Sequence, residues 1–392
     1  MAADKILDAS VQGQGVVSLT KHFAILEDPS HALTLADVQQ AEVAAHFVTA
    51  PEPAESLNFG YTRSAYWLRL TLRNSTDHPV SRMLELGHAL LSHIELYQPA
   101  ANGRYQVVAT GTAEPFATRP YPNRFFVFPL VLPAHAEQVL YLRIRSTLVM
   151  QIPAKLWEPT AFHAWERDDY VVQAWFFGMV TALILFNFLL FIALKDVTYL
   201  LYVGFAIGMA LTISAGNGWG KEFIWPKTTL WSDIAVSVLG AFTQAALLLF
   251  MRRLLGTREL VPRLDRLIRI FIAIHLLLPI GFAVSILTFT APSARAVAAT
   301  MLLILFVGLY CALVKKQRIA AFFVMAFTLW ICGNLVVGLR GYGLLPSNAF
   351  TMNGWQIGSI SEMLLLAFAL AYRFNQIRRK ASEDVRQVNA NL

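Results

Sequence analysis

Cysteine is scarce in this sequence. Only two cysteines occur among 392 residues, Cys311 and Cys332, and both fall in long apolar stretches. So placed, they supply neither a disulfide framework nor a zinc site of the Cys-x-x-Cys kind. We therefore expect no metal site and no cofactor, and a soluble domain held together by its apolar core alone.

Charge is also scarce. Charged residues make up 15% of the chain and hydrophobic residues 56%, with a mean hydropathy of +0.51. These values are typical of a membrane protein with a substantial soluble part. The net charge of +7 could suggest nucleic acid, but the basic residues cluster at the ends of the apolar runs. Membrane orientation and anionic lipid headgroups explain that placement better, so no nucleic-acid partner is expected.

Interior charge is nearly absent from seven apolar runs, each close to the roughly 20 residues that a helix needs to cross a bilayer. The predicted spans are Val171–Leu194, Tyr199–Gly216, Asp233–Leu254, Leu267–Leu287, Ala296–Val314, Ile319–Leu339 and Met352–Tyr372. A soluble protein does not bury seven such helices in tandem. The sequence therefore predicts a membrane bundle of seven transmembrane helices over residues 166–372.

Lys and Arg residues near the span ends indicate the orientation of the bundle. Fourteen of them lie on one side and five on the other, and the richer side is cytoplasmic by the positive-inside rule. The N-terminal region is then outside and the C-terminus inside. Because the sequence opens on Met1-Ala-Ala-Asp-Lys without an apolar signal region, we expect that an export signal was removed.

The exterior region, residues 1–165, contains short segments rich in β-branched and aromatic residues between turn signals. The predicted strands are Val16–Leu26, Tyr66–Arg73, Arg82–Leu86, His93–Gln98, Tyr105–Thr110, Arg124–Leu132, Gln138–Ser146 and Met150–Leu156. About eight such strands predict an all-β, jelly-roll-like sandwich. One amphipathic helix is predicted at Leu35–Phe47. Its shared face consists of Leu35, Val38, Ala41 and Ala45.

The strand from Tyr66 to Arg73 carries the first candidate ligand site. Its period of two directs Tyr66, Leu68, Leu70 and Leu72 to the core, and Trp67, Arg69, Thr71 and Arg73 to the opposite face. A Trp beside two Arg on an open sheet face can stack on a sugar ring or bind an anion. The alternative is that Trp67 packs under a loop and the arginines pair with Glu85 or Glu95 on neighbouring strands.

The segment Arg119–Arg124 is a second candidate ligand site, with Arg119 and Tyr121 as its binding residues. The alternative is an ordered connection before a strand.

Several stretches resemble a known receptor family. In the exterior region these are LEDPSHALTLADVQQAEVAAHF, LNFGYTRSAYWLRLTLRN and LELGHALLSHIELY, and in the apolar half LFNFLLFIALKDVTYLLYV, GNGWGKEFIWP and GSISEMLLLAFALAYRFNQIRR. They are similar to the seven-transmembrane receptors with diverse intracellular signalling modules (7TMR-DISM) that carry a type 2 extracellular sensor domain. The resemblance implies a carbohydrate-binding-like jelly roll outside the bacterial inner membrane. It also implies a cytoplasmic output, commonly a diguanylate cyclase or histidine kinase, which this chain, ending at Leu392, does not contain.

Polar side chains within the predicted spans are candidate functional residues, because hydrocarbon offers them no hydrogen-bond partner. They are Asn187, Gln244, His275, Asn334, Gln356 and Glu362. Glu362 is the clearest case, because about 15 Å of apolar helix separates it from Arg373 and places it well inside the membrane. Asn187, Asn334 and Gln356 are possible hydrogen-bond partners for it, and His275 could satisfy the helix turn opened by Pro279. Hydrogen bonding between helices is the plainer interpretation; a ligand pocket or a proton-linked switch is the alternative.

A short coiled-coil seam is predicted where the last span continues into the cytoplasm, over residues 373–392. Apolar residues recur there at spacings of three and four. The seam consists of Phe374, Ile377, Ala381, Val385, Val388 and Leu392. It predicts a homodimer in which the exit helices carry the signal, although a solvated helix with chance periodicity has the same pattern.

Three classes of function compete. A receptor explains an exterior sandwich, a bundle and an exit helix together. A small-molecule transporter is the second choice, but no internal repeat or row of intramembrane charges supports it. A membrane enzyme lacks its motifs, since we find no metal-ligand spacing, Gly-x-Ser-x-Gly or P-loop. We therefore predict a non-catalytic receptor for a periplasmic or membrane-embedded small molecule, with the bilayer and a cytoplasmic output as further partners.

Overall fold

A computed structural model describes residues 5–11, 15–50, 56–100, 103–341, 344–345 and 348–390. The chain divides into two compact units. The first contains Met1–Val172, Ile213–Val236 and Leu339–Ser347, and the second contains Gln173–Thr212, Ser237–Gly338 and Asn348–Leu392. The first unit thus joins the exterior region to two later segments of the chain.

The exterior region is built from short strands. They are β1 (Leu7–Asp8), β2 (Val16–Ser18), β3 (Ala24–Asp28), β4 (Val48–Thr49), β5 (Leu57–Gly60), β6 (Ala65–Arg73), β7 (Val80–Leu86), β8 (His93–Pro99), β9 (Tyr105–Thr110), β10 (Phe126–Leu132), β11 (Glu137–Arg145), β12 (Met150–Ile152) and β13 (Ala154–Trp157). Two predicted strands need correction, because each is a pair. A 3₁₀ turn at Thr20–His22 separates β2 from β3. Pro153, which cannot donate to a ladder, separates β12 from β13.

The strands form a sandwich. Among the described residues, one sheet has the order β4-β3-β6-β11-β8-β9 with β1 parallel to β6, and a second has the order β10-β7-β13-β2, while β12 pairs with β5. Tyr66 and Leu68 of β6, Leu84 of β7 and Phe128 of β10 lie in one buried core. The period of two predicted for β6 is confirmed, because its core-face residues all belong to this core.

The other face of β6 is covered rather than open. Two short helices, α1 (Leu35–Gln39) and α2 (Ala41–Ala44), replace the single helix predicted there, since Gln40 has an extended backbone with ψ 139°. Thr34 and Asp37 form a capping box at the start of α1. Val38 is buried, as the predicted shared face requires. Ala41 and Ala45 are exposed, so the prediction that they belong to this face is wrong.

The remaining helices confirm the predicted bundle. They are α3 (Pro159–Leu194), α4 (Val197–Gly216), α5 (Leu230–Leu255), α6 (Thr257–Leu260), α7 (Pro262–Val284), α8 (Ile286–Leu309), α9 (Arg318–Gly341), α10 (Ala349–Met352) and α11 (Gly354–Ala390). In the described part of the chain, seven helices are long and apolar enough to cross a membrane. Helix α3 begins directly after β13, well before the predicted first span.

The second unit has the surface of a membrane protein. Aromatic side chains such as Tyr202 and Phe250 are buried, and their rings pack 5.8 Å apart. Large apolar side chains, including Leu189, Leu302 and Phe368, are exposed on its surface. An aqueous protein would not leave so many apolar side chains uncovered, whereas lipid tails solvate them without cost.

Candidate functional site

A buried ion pair lies where the sandwich meets the start of α3, within the first unit. Arg124, just before β10, donates from Nε and Nη2 to the two carboxylate oxygens of Asp169, each at 2.7 Å. The side chains are only 6% and 7% exposed. Arg124 Nη1 also donates to the carbonyl oxygen of Asn217 at 2.9 Å. One guanidinium therefore joins a sandwich loop, α3 and the turn after α4.

Glu166 and Glu222 hold further groups around this pair. Glu166 accepts hydrogen bonds from the Tyr121 hydroxyl at 2.8 Å and from Asn123 Nδ2 at 2.7 Å. The Tyr170 hydroxyl donates to Glu222 at 2.8 Å. Burial and the Glu166 carboxylate raise the pKa of Tyr121 to about 12, and burial raises the pKa of Glu222 above its ordinary value. The Tyr121 phenol thus remains a hydrogen-bond donor at physiological pH.

Arg119 is buried between aromatic rings rather than exposed to ligand. Its guanidinium carbon lies 4.4 Å from the ring centroid of Phe126 and 4.8 Å from that of Phe116, both within cation–π range. Its Nη1 donates to the carbonyl oxygens of Asn123 and Phe125. Burial lowers the pKa of Arg119 to about 10, which still leaves it charged. Arg119 therefore stabilises the loop that contains Arg124.

A second cluster of polar side chains includes residues of the loop after α4. Lys221 is buried and donates to the carbonyl oxygen of Thr112 and to Ser232 Oγ, both at 3.1 Å. The Thr112 hydroxyl donates to the Asp233 carboxylate at the start of α5. Burial, and then the charge of Arg119, lower the pKa of Lys221 to about 8. The loop between α4 and α5 is thereby fixed to the β9–β10 connection.

Gly218 permits the close approach of these segments. It has a φ of +89°, and a Cβ atom there would lie 2.4 Å from the carbonyl oxygen of Arg124. Only glycine fits this position. We call the whole set the polar junction. It consists of Thr112, Arg119, Tyr121, Asn123, Arg124, Glu166, Asp169, Tyr170, Asn217, Lys221, Glu222 and Asp233.

Two family models match this architecture. One, described as 7TM diverse intracellular signalling, matches residues 169–373, and the other, described as 7TMR-DISM extracellular 2, matches residues 20–158. The chain belongs to the 7TMR-DISM family. No curated protein matches it. As a 7TMR-DISM protein it is a multi-pass membrane receptor with an outward N-terminal sensor domain, which confirms the family predicted from the sequence.

Of the exterior candidates, the 7TMR-DISM sensor brings Arg119 and Tyr121 together in the polar junction. The predicted exposure of Trp67 needs correction, because its ring is fully buried in a second core with Val38 and Phe47. It stacks on Tyr97 at 5.4 Å. The helices α1 and α2 cover this face of the sheet, whereas the alternative interpretation of the strand had a loop cover Trp67.

The two arginines of β6 have protein contacts. The Arg69 guanidinium lies 4.6 Å from the ring centroid of Phe47. Arg73 forms an exposed ion pair with Glu137 at 2.8 Å, not with Glu85 or Glu95. Glu85 accepts instead from the indole nitrogen of Trp157 at 2.6 Å, and Glu95 pairs with Arg143 at 3.6 Å. Ligand binding by the five exterior candidates stays a prediction.

Little in the sequence indicates the polar junction. Asp168 and Asp169 are an acidic pair just before the first predicted span, and Arg124 closes a basic segment far from it in sequence. Neither feature names its partner. Only a search of the exterior region for an arginine able to pair with Asp168 or Asp169 could have suggested the ion pair.

The intramembrane candidates lie in the second unit. Asn187 and Asn334 each donate to a carbonyl of their own helix, at Leu183 and Trp330. They are therefore not the partners that the sequence suggested for Glu362. His275 bonds to Thr300 at 2.8 Å, which links α7 to α8 instead of serving the turn at Pro279.

Gln356 and Glu362 occupy the inner face of α11. Gln356 donates to Gln173 of α3 at 2.6 Å, a partner that the sequence did not indicate. Glu362 is buried, and its Oε2 atom has no hydrogen-bond partner among the described residues. The same is true of Oε1 of Gln244. Across the described ranges, no group of three or more His, Cys, Asp or Glu side chains could hold a metal ion.

At the cytoplasmic end of its membrane span, α11 contacts the turn after α3. Arg373 lies 3.3 Å from the Asp196 carboxylate and donates to the Thr198 hydroxyl. In the predicted seam, Phe374 is exposed. The side chains of Ile377, Ala381, Val385 and Val388, and the whole of Leu392, lie outside the described residues. The seam therefore stays a prediction, although the helix itself continues to Ala390.

We expect the stability of the sensor domain to fall in acid because of His88. Burial lowers the pKa of His88 to about 4 from an ordinary 6.5, so the unfolded chain binds the proton more readily between those values. Stability is therefore fully present above pH 6.5 and falls by up to about 3 kcal/mol as the pH drops to 4. Thermal unfolding of the full chain, followed by tryptophan fluorescence from pH 7 to 4, measures the slope.

His88→Asn should reduce that slope, because one of the titrating groups is gone. The matched control is His135→Asn, which removes an exposed histidine and so measures what the same substitution does at the surface of the domain. An equal slope in wild type and His88→Asn would contradict the assignment.

Proposed function

We propose that the chain is a receptor of the bacterial inner membrane that senses a small, carbohydrate-like molecule with its periplasmic sandwich. It is not itself an enzyme. Ligand binding shifts the population of bundle arrangements, and the exit helix α11 passes the shift to a cytoplasmic output domain. An output of the diguanylate cyclase or histidine kinase type fits the family resemblance.

The observation that carries this proposal is the buried Arg124–Asp169 pair. An exposed pair could break at little cost, but separating a buried one leaves two charges without solvent. The sandwich therefore cannot move without either pulling on α3 or breaking the pair.

The stretch of chain that connects the sandwich to α3 is only one residue long. Strand β13 ends at Trp157 and α3 begins at Pro159. The Trp157 ring stacks on Trp165 at 5.3 Å and meets Phe162 edge-on at 6.1 Å. This aromatic cluster stiffens the first turns of α3, so that a change at the end of the sandwich reaches the helix without a flexible linker.

Helices α3 and α11 are connected inside the second unit. Gln356 of α11 bonds to Gln173 of α3, and Arg373 of α11 contacts Asp196 and Thr198 just beyond the end of α3. A shift of α3 is thus passed to α11 near both of its membrane ends. Helix α11 then runs without a break to Ala390, which supports a relay by the helix itself.

The test couples a change at the polar junction to a readout on the exit helix. In a Cys311→Ser/Cys332→Ser background, Ile377→Cys is crosslinked in membranes, with Val388→Cys as a second site. Disulfide-linked dimers are expected if the exit helices pair. Arg124→Met should change the crosslinking rate at least twofold, because it removes the tie between sandwich and α3.

Arg73→Met is the matched control, since it removes an exposed pair from the same sandwich and should leave the rate unchanged. A rate that is equal in Arg124→Met and wild type would contradict the relay. Absence of dimers at both cysteine positions would contradict the paired exit helices. Substrate flux by the purified chain in proteoliposomes would favour the transporter instead.

A further inference from the structure

An apolar groove lies at the cytoplasmic end of the bundle, within the second unit. It has a volume of about 380 Å³, within the range of small-molecule sites. Its walls are Leu260, Val261 and Leu264, from the α6–α7 corner, and Phe306 and Tyr310, from the end of α8. The rings of Phe306 and Tyr310 stack at 6.5 Å. The groove thus offers mainly apolar and aromatic surface.

Arginines line and flank this groove. Arg263 is one of its lining residues, and Arg266 lies three residues further along α7, which places the two on neighbouring positions of the helix surface. Both are exposed, and among the described residues neither is in an ion pair. Asp265 does not neutralise them, because it is paired with Arg252 at 2.7 Å and with Arg269 at 3.5 Å. The rim therefore keeps its positive charge for another partner.

The groove lies at the level where bilayer and cytoplasm meet. With the N-terminal domain outside, the third span ends on the inner side, so the α5–α7 connection is cytoplasmic. The nearby side chains of Phe306, Leu309 and Leu313 are exposed and apolar, as expected of a surface in contact with lipid tails. An occupant reaches this groove most directly from the inner leaflet.

The groove wall has an unusual backbone. Helix α8 passes at Tyr310 into a π-helical turn, Tyr310–Val314. Such turns are rare, and they are frequently found at functional sites. The turn begins at one of the aromatic side chains that line the groove.

We propose that this groove binds one anionic phospholipid, with an acyl chain against the apolar walls and the phosphate on Arg263 and Arg266. Arginine suits phosphate because its planar guanidinium donates two parallel hydrogen bonds. The site goes beyond the proposed receptor function and is independent of the ligand of the sandwich. It gives the bundle a means of responding to the charge of the inner leaflet.

The test is native mass spectrometry of the full chain released from nanodiscs of phosphatidylglycerol and phosphatidylcholine in equal amounts. The wild type should retain one phosphatidylglycerol. Arg263→Gln/Arg266→Gln should bind it about 25-fold more weakly, roughly fivefold for each arginine. Arg318→Gln/Arg378→Gln removes the same charge from exposed cytoplasmic residues that do not line the groove, and should bind as the wild type does.

Three outcomes would overturn the proposal. Equal retention of phosphatidylcholine would show that charge plays no part, and equal loss in both double variants would show general attraction to the membrane. The third outcome comes from a separate experiment, which measures the binding of two soluble compounds to the chain in detergent. One is glycerophosphoglycerol, which is the headgroup alone, and the other is the short-chain lipid dihexanoyl-phosphatidylglycerol. If the headgroup alone bound as tightly as the short-chain lipid, the occupant would be a soluble phosphate compound rather than a lipid.

Discussion

Arg124→Met should destabilise the first unit by about 3–5 kcal/mol, the cost of leaving one member of a buried ion pair without its partner. The Asp169 carboxylate would lose both charge-assisted hydrogen bonds while remaining only 7% exposed. The carbonyl oxygen of Asn217 would lose its donor as well. Unfolding of the full chain in detergent, followed by tryptophan fluorescence in urea, measures the loss.

The double variant Arg124→Met/Asp169→Leu should recover most of this stability, because replacing both charges by apolar side chains of similar volume is often neutral or favourable. Arg73→Met is the control, since its exposed pair with Glu137 should contribute no more than about 1 kcal/mol. If the two single variants lost equal stability, the Arg124–Asp169 pair would not have the buried character assigned to it.

The double variant also separates stability from signalling. It should restore the stability of the chain, but it lacks the ion pair that connects the sandwich to α3. We therefore expect its crosslinking at Ile377→Cys to differ from the wild type even when its unfolding midpoint does not. A chain with both stability and crosslinking restored would show that packing at this position is sufficient for the relay.

Gly333→Ala should lower the free energy of unfolding of the second unit by about 1–3 kcal/mol, the usual cost of overpacking. A Cβ atom at Gly333 of α9 would lie 2.3 Å from the carbonyl oxygen of Gly354 and 2.9 Å from Cα of Gly358. These are backbone atoms of α11 and cannot rotate away, so the helices would have to separate. Unfolding in sodium dodecyl sulfate, followed by circular dichroism, gives the difference.

Gly338→Ala is the matched control on the same helix. A Cβ atom there would meet nothing within 4 Å, and removing a helical glycine favours the folded state by up to about 1 kcal/mol. The two substitutions make the same chemical change with opposite expected signs. A loss of stability in both would mean that α9 and α11 do not pack as closely as the structure has them.

The close packing of α9 and α11 has a functional consequence. Gly354 and Gly358 are four residues apart on α11, the spacing at which small residues let transmembrane helices approach. Helix α11 is the helix that we propose to carry the signal, so its separation from α9 should also alter the crosslinking of the exit helices. The sequence contained this spacing, but the partner glycine on α9 is recognisable only in three dimensions.

The sequence by itself determined the seven spans and the alternation of β6, because both are set by local patterns of apolar residues. A bilayer requires about 20 apolar residues in every spanning helix, and a half-buried strand requires a period of two. Those patterns exist before any tertiary contact forms. Helix α3 shows the limit of this reasoning, since its first turns are polar and aromatic and pack on the sandwich instead of crossing lipid.

Only the tertiary structure decided which polar groups meet. Trp67 lies on the face opposite the main core, as its register requires, yet helices α1 and α2 bury it in a second core. Arg124 and Asp169 are 45 residues apart, and Gln173 and Gln356 are 183 residues apart. Residue type and local spacing carry no information about partners at such separations, because a charge or an amide can be satisfied by any complementary group that the fold brings near.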